Sequence, residues 1–177
     1  IHNVSNGLAT LLVSVCNNLD IEKSVKGLES FTGASRRFEY KKTIGENVDV
    51  YDDYAHHPTE IMTTLTTARE KTNGRVIAVF EPHTYSRTYT LFDKFVETLK
   101  NADIVLLADI YAAREKNTYG ISSQDLVDKI ESLGKKAIYI QDFDEIATYI
   151  KERACPNDIL LTMGAGTVVE VSKKILL

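Results

Sequence analysis

Four short runs in this chain are almost unbroken in apolar residues: Val76–Phe80, Ile104–Ala108, Ala137–Ile140 and Ile159–Met163. Such runs are expected of parallel strands covered on both faces. Helical patterns separate them. Thr59–Lys71 reads as a helix with Pro58 at its first position, where a missing N–H costs little. Thr88–Leu99 sets Phe92, Phe95, Val96 and Leu99 on one face. Ser122-x-x-Asp125 makes an approximate capping box ahead of Leu126, Val127, Ile130 and Leu133, with Asp in place of Glu. Further helices are expected near Phe143–Arg153 and Val168–Leu176. Strands at Phe38–Thr43 and Val48–Tyr54, turning at Gly45-Glu46-Asn47, complete the set. The alternation is that of an α/β domain with a doubly wound, mostly parallel sheet.

The first 35 residues follow another pattern. Val4, Leu8, Leu11, Leu12, Val15 and Leu19 recur at spacings of three and four, one apolar stripe of a helix over about residues 3–18. A second short helix is expected over Ile21–Ser30, and Thr32-Gly33-Ala34-Ser35 reads as a break. Two helices with no sheet to pack on cannot bury that stripe. Residues 1–35 are therefore expected to be the tail of a preceding domain, and 36–177 a complete one. The start at Ile1-His2-Asn3, without Met, fits a fragment of a longer polypeptide.

Composition narrows the function classes. The 177 residues carry 21 Lys+Arg against 25 Asp+Glu, a net charge of −4. Without a Lys/Arg-dense stretch, nucleic-acid binding, which needs cations against phosphates, is not expected. The longest apolar runs are far short of the ~20 residues of a membrane span, and no leader pattern opens the chain. Cys16 and Cys155 form no CxxC pair, as in a reduced, cytoplasmic setting. Cys16 is expected to fill a core.

In open α/β sheets, ligands bind beyond the carboxyl ends of the strands. The residues found there are Asp52-Asp53-Tyr54-Ala55-His56-His57-Pro58, Glu81-Pro82-His83-Thr84-Tyr85-Ser86-Arg87, Asp109-Ile110-Tyr111 with Arg114-Glu115-Lys116, and Gly164-Ala165-Gly166. Three of the four histidines fall in the first two loops. Loop-borne His, Asp and Arg on a rigid scaffold suit binding and catalysis. Equally, strand-end loops are polar anyway, and His-Pro or Pro-His fixes a turn. Adjacent His56 and His57 diverge, and no spacing supports a zinc site, so no metal ligand is assigned. Gly164 and Gly166 fit either a phosphate-cradling turn or close packing of helix on strand. No GxSxG elbow and no P-loop occurs.

The segments Asp52-Asp53-Tyr54-Ala55-His56-His57-Pro58-Thr59-Glu60 and Phe80-Glu81-Pro82-His83-Thr84-Tyr85-Ser86-Arg87-Thr88 together resemble the Mur ligase family. His2-Asn3-Val4-x-Asn6, Arg36-Arg37-Phe38-Glu39 and Met163-Gly164-Ala165-Gly166 fit in the same order. The resemblance implies a Rossmann-like C-terminal domain, preceded by the last helical stretch of a central ATPase domain. It implies ATP and Mg²⁺, the metal held mainly by upstream residues, and an amide ligation through an acyl phosphate. UDP-N-acetylmuramate and L-alanine are the implied substrates, and the upstream domains are implied partners in one cleft. By the same resemblance Asn3 and Asn6 contact adenine and Asp53 the ribose. Arg37, assisted by Arg36, reaches the phosphates. Tyr54, His56, His83 and Arg87 surround the incoming amino acid and the reacting carboxylate, with His56 and Arg37 as the catalytic pair. Thr84 stands where many relatives carry Arg, and Glu81 where Gln is frequent. A tripeptide-recycling relative shares the first motif but not the second. The isolated segment is expected to be inactive. A stand-alone nucleotide-binding module is the alternative of another class.

Overall fold

The computed structural model describes residues 2–31 and 33–177, the side chains of His2 and Asn3 excepted. Thr32, assigned above to the break, lies outside the described residues. The chain divides into two compact units between Ala34 and Ser35.

The first unit holds two helices, α1 (His2–Cys16) and α2 (Ile21–Glu29). Asp20 caps α2, its carboxylate accepting from the Lys23 N–H at 3.1 Å. The stripe on α1 is not buried: Val4, Leu8, Leu12, Val15 and Leu19 are each more than half exposed. Cys16 is exposed too, which corrects its expected place in a core. A helix pair without a sheet has no second layer to cover that face.

The second unit contains six strands: β1 (Glu39–Ile44), β2 (Val48–Asp53), β3 (Val76–Phe80), β4 (Ile104–Leu107), β5 (Lys136–Tyr139) and β6 (Ile159–Met163). Their order is β1-β2-β6-β3-β4-β5. β1 pairs antiparallel with β2, and every other pairing is parallel. The β1–β2 turn takes left-handed backbone at Gly45 (φ 49°) and Asn47 (φ 64°), which Gly and Asn tolerate best.

Side chains along each strand point alternately to two cores. Ala78, Phe80, Val105 and Leu107 meet α3 (Pro58–Lys71), α5 (Phe92–Leu99) and α6 (Ser123–Ser132) through Ile61, Leu65, Phe95, Leu99, Leu126 and Ile130. Ile77, Val79, Ile104 and Leu106 meet α7 (Phe143–Arg153) and α8 (Val169–Leu176) through Ile146, Ile150, Val171 and Ile175. The apolar runs lack alternation because both faces are covered. The Ser122–Asp125 box forms in full, with the Ser122 N–H donating to Asp125 Oδ2 at 2.7 Å.

The helix expected over Thr88–Leu99 is instead two: α4 (Tyr85–Thr90) and α5, parted at Leu91 (φ −108°, ψ 17°). The Thr88-Tyr89-Thr90 run is β-branched and aromatic, a poor interior for one continuous helix. Thr84 supplies the cap that starts α4 early.

β6 lies between β2 and β3. The loops after β2 and β3 lead to helices on one face, and the loop after β6 leads to α8 on the other. The carboxyl end of β6 is therefore the topological switch point, where doubly wound sheets bind their ligands.

At the opposite end of the sheet, Gly74 touches the turn before β6. A Cβ there would lie 2.2 Å from the Asn157 carbonyl oxygen. Gly74→Ala should destabilise the chain by about 1–3 kcal/mol through overpacking, whereas Gly27→Ala on open α2 should raise helicity. Urea unfolding followed by circular dichroism checks both signs.

Candidate active site

The turn from Ser35 to Phe38 is tied to the ends of β2 and β6. Arg36 Nε donates to Asp52 Oδ2 at 2.9 Å, and its Nη2 donates to the Gly164 carbonyl at 2.6 Å. A further guanidinium N–H reaches the Gly166 carbonyl at 3.4 Å, and the cation lies 5.0 Å from the centre of the Tyr54 ring. Thr162 Oγ1 donates to the other Asp52 oxygen at 2.6 Å. Arg36 is thus directed inward, with three of its five N–H donors engaged. Arg37 is exposed and forms no ion pair among the described residues.

Asp53 is nearly buried, and its carboxylate accepts from the Phe38 N–H (2.9 Å), the Ala55 N–H (2.8 Å) and Thr64 Oγ1 (3.1 Å). Burial pushes its carboxyl up. Those three donors and the Arg37 charge pull against that rise without cancelling it.

The next residues split into two roles. His57 caps α3, its Nδ1 accepting from the Thr59 N–H at 3.3 Å, while Glu60 Oε2 accepts from the N–H groups of His56 (3.1 Å) and His57 (3.2 Å). That is a capping box with histidine as the cap. Burial works to raise Glu60, but the His56 N–H, the His56 charge, the His57 N–H and the Arg37 charge outweigh it and hold the carboxyl low. His56 Nδ1 lies 3.0 Å from the Tyr54 carbonyl and 3.5 Å from Glu60 Oε2.

Four rings then form a row. Tyr54 meets His56 edge-on at 5.4 Å, His56 lies 5.9 Å from His83, and His83 stacks on Tyr111 at 5.5 Å. Arg87 Nη1 donates to His83 Nδ1 at 3.2 Å. Burial and the Arg87 and His56 charges push His83 down, with Glu115 opposing. Thr84 sits at φ 67°, a conformation costing about 1–3 kcal/mol for a non-glycine residue. Its N–H donates to the Tyr111 carbonyl (2.9 Å), and its hydroxyl caps α4. Glu115 accepts from both the N–H (2.9 Å) and the hydroxyl (2.6 Å) of Ser86, and those bonds hold its carboxyl low. These contacts fix the turn of α4 that carries Arg87.

Gly164 and Gly166 are packing residues. A Cβ on Gly166 would lie 2.3 Å from Glu81 Oε2 and 2.7 Å from the Tyr111 ring, and one on Gly164 would lie 2.9 Å from the Glu81 carbonyl. Glu81 is buried, with Thr167 Oγ1 (2.9 Å) and the Val168 N–H (3.1 Å) donating to it. Burial pushes its carboxyl up despite these bonds and the nearby Arg36 charge.

The structure therefore brings Tyr54, His56, His83 and Arg87 together, with Asp53 at the end of β2 and Arg37 on the turn before β1. Asn6 is exposed on α1 in the other unit, and the side chain of Asn3 lies outside the described set. Glu60, Tyr111 and Glu115 were given no role from sequence. Glu60 was detectable, three residues after a polar cap and two after Pro58, whereas Tyr111 and Glu115 arrive through tertiary pairing alone. Among the described residues no group of three or more His, Cys, Asp or Glu side chains is placed to hold a metal ion.

The fold and this row of side chains define a doubly wound α/β domain with a cationic, histidine-bearing site at its switch point. Residues 36–166 match the family model described as "Mur ligase, glutamate ligase domain". The chain belongs to the Mur ligase family. It is 49% identical over 175 residues to the UDP-N-acetylmuramate–L-alanine ligase of Agathobacter rectalis, covering 99% of this chain and 38% of that protein. The ligase of the same name from Caldanaerobacter subterraneus subsp. tengcongensis matches at 49% identity with the same coverage. The solved structure of the UDP-N-acetylmuramate-alanine ligase of Thermotoga maritima superposes with a TM-score of 0.80 at 29% identity, over 99% of this chain and 37% of that one. A murein peptide ligase from Psychrobacter arcticus, 23% identical with a TM-score of 0.74 over 99% of this chain and 36% of that one, shares the fold. The chain spans about 38% of the length of the curated relatives it matches.

The sign of the Glu81 shift makes a prediction. The folded state holds its proton more tightly than the unfolded chain, whose value is near 4.5, so the ionised carboxylate costs stability at neutral pH. The cost disappears as pH falls through the raised value and below the unfolded one. Glu81→Gln, whose amide still accepts from Val168 and donates to Thr167, should raise the melting temperature at pH 7. The gain should vanish below about pH 4 in thermal scans across pH.

Proposed function

We propose that this chain forms the C-terminal part of an ATP-dependent amide ligase that joins L-alanine to UDP-N-acetylmuramate in the cytoplasm during peptidoglycan precursor synthesis. The observation that carries this reading is 49% identity across 99% of the chain to ligases of that name. On this reading residues 1–35 end a central ATPase domain, and 36–177 form the domain that brings the amino acid to the phosphorylated carboxylate.

A carboxylate is a poor electrophile, so ATP first converts it to an acyl phosphate. The amine then attacks and phosphate leaves. Arg87 grips the carboxylate of the incoming amino acid with the guanidinium edge not committed to His83, in a planar, charge-assisted pair that Lys cannot reproduce. Tyr54 and His83 wall the same space. His56 handles the proton on the amine. Arg37, exposed and without an ion pair among the described residues, neutralises charge on the transferring phosphoryl group. Asp53 keeps acceptor capacity beyond its three donors, which suits a ribose hydroxyl. Asn3 and Asn6 serve adenine through amide donors and acceptors. This reading assigns the Mg²⁺ ligands mainly to upstream residues, and no step here passes through the metal.

In a protein containing this segment together with the remainder found in its relatives, phosphate release should require ATP, UDP-N-acetylmuramate and L-alanine. The 177-residue chain alone should release none. In the longer protein Arg87→Ala should lower kcat/KM for L-alanine by about 10²-fold, since a hydrogen bond to a charged group contributes about 1.5–3 kcal/mol. Steady-state kinetics that stay near normal would remove Arg87 from the site.

A further inference from the structure

The two histidines of the row use the same ring atom in opposite senses. His56 Nδ1 faces the Tyr54 carbonyl at 3.0 Å, and a carbonyl can only accept. His83 Nδ1 faces Arg87 Nη1 at 3.2 Å, and a guanidinium can only donate. A neutral imidazole carries its proton on one nitrogen and a lone pair on the other, and the partner of one nitrogen decides the state of the second. We infer that the two rings hold opposite tautomers, His56 with Nδ1–H and a free lone pair on Nε2, His83 with its lone pair committed to Arg87 and the proton on Nε2. Of the pair, His56 alone is the proton acceptor. His83 is a positioning residue for Arg87 and presents a donor.

This assignment deepens the ligase reading and rests on it for its chemistry. An amino acid at neutral pH arrives as an ammonium ion, which has no lone pair for attack. Transfer to His56 breaks one N–H bond of the ammonium and forms one at Nε2. The amine becomes neutral and the ring becomes an imidazolium. Glu60 Oε2, 3.5 Å from Nδ1, faces that positive charge. The arrangement follows the general logic of a histidine base oriented on its far nitrogen by fixed acceptors.

His83 is unsuited to the same task. Arg87 on α4 faces it with positive charge, His56 after β2 does so once it has taken a proton, Tyr111 after β4 covers its ring, and Glu115 from the same loop is the opposing anion. Burial and the Arg87 cation favour the neutral ring, with His56 adding to this once protonated, and the neutral ring is the form that can accept from Arg87. Protonating His83 would put a second donor against the guanidinium and break that bond.

Long-range ¹H–¹⁵N correlation spectra of the imidazoles in the ligand-free chain test this directly, with His2, His56, His57 and His83 assigned by single substitutions. His56 should show the Nδ1–H tautomer and His83 the Nε2–H tautomer, with His83 titrating below 6.5. Arg87→Met should move the His83 midpoint back toward that value and mix its tautomers, leaving His56 unchanged. His83→Asn, with an amide oxygen near the place of Nδ1, should preserve the Arg87 side-chain N–H resonances that His83→Phe loses. The same tautomer on both rings, or a His83 indifferent to Arg87→Met, would overturn the assignment and leave the ligase reading untouched. Opposite tautomers with normal L-alanine kinetics for Arg87→Ala in the longer protein would sink the substrate reading instead.

Discussion

A carboxylate taken wholly out of water has to be matched by a cation and by hydrogen bonds. Asp52 meets that requirement with Arg36 on one oxygen and Thr162 on the other. The match organises much more than the pair. Arg36 comes from the turn before β1, Asp52 from the end of β2, and the carbonyls that share the guanidinium come from the loop after β6. One side chain therefore fastens three separate stretches of chain around the crevice. Removing it would strand a buried carboxylate, a loss on the order of 3–5 kcal/mol. Arg36 and Phe38 adopt positive φ (56° and 46°), strained values that the surrounding bonds must impose. Arg37 owes its outward direction to being held between them.

The segment from Asp52 to Glu60 is therefore largely a construction element. Asp52 and Asp53 secure the turn before β1, while His57, Pro58 and Glu60 start α3. Tyr54 and His56 are left to project into the crevice. The second segment divides similarly: Glu81, Thr84 and Ser86 hold loops, so that His83 and Arg87 can meet. A site that must keep side chains within a fraction of an ångström needs this surrounding support.

The alternation of strands and helices was legible in the sequence because burial on both sheet faces removes polar residues from Val76–Phe80 and Ile159–Met163 entirely. The capping box at Ser122 and Asp125 was legible because it is local. What escaped is tertiary. The inward turn of Arg36 depends on Asp52 sixteen residues away and on carbonyls about 130 residues away. Tyr111 reaches His83 only because the chain beyond β4 pairs with the chain beyond β3. The exposure of Cys16 follows from what α1 lacks as a neighbour, which no periodicity records. The resemblance named Tyr54, His56, His83 and Arg87 as one site, and they meet in space. Which nitrogen of each ring faces which partner was beyond any reading of residue types.

The net charge of −4 is misleading at the crevice. Asp52, Asp53, Glu60, Glu81 and Glu115 all lie there, yet each is engaged by backbone N–H groups, hydroxyls or Arg36. Arg37 forms no ion pair among the described residues, and Arg87 is bonded to an imidazole, which leaves its charge uncompensated at short range. On the proposed reading an anion entering there meets the Arg37 and Arg87 guanidinium groups, although the chain as a whole is acidic. Bulk charge governs long-range encounter and is screened within about 10 Å at ordinary salt. The internal satisfaction of the carboxylates governs what happens at contact, and on the proposed reading this lets an acidic domain receive an anion.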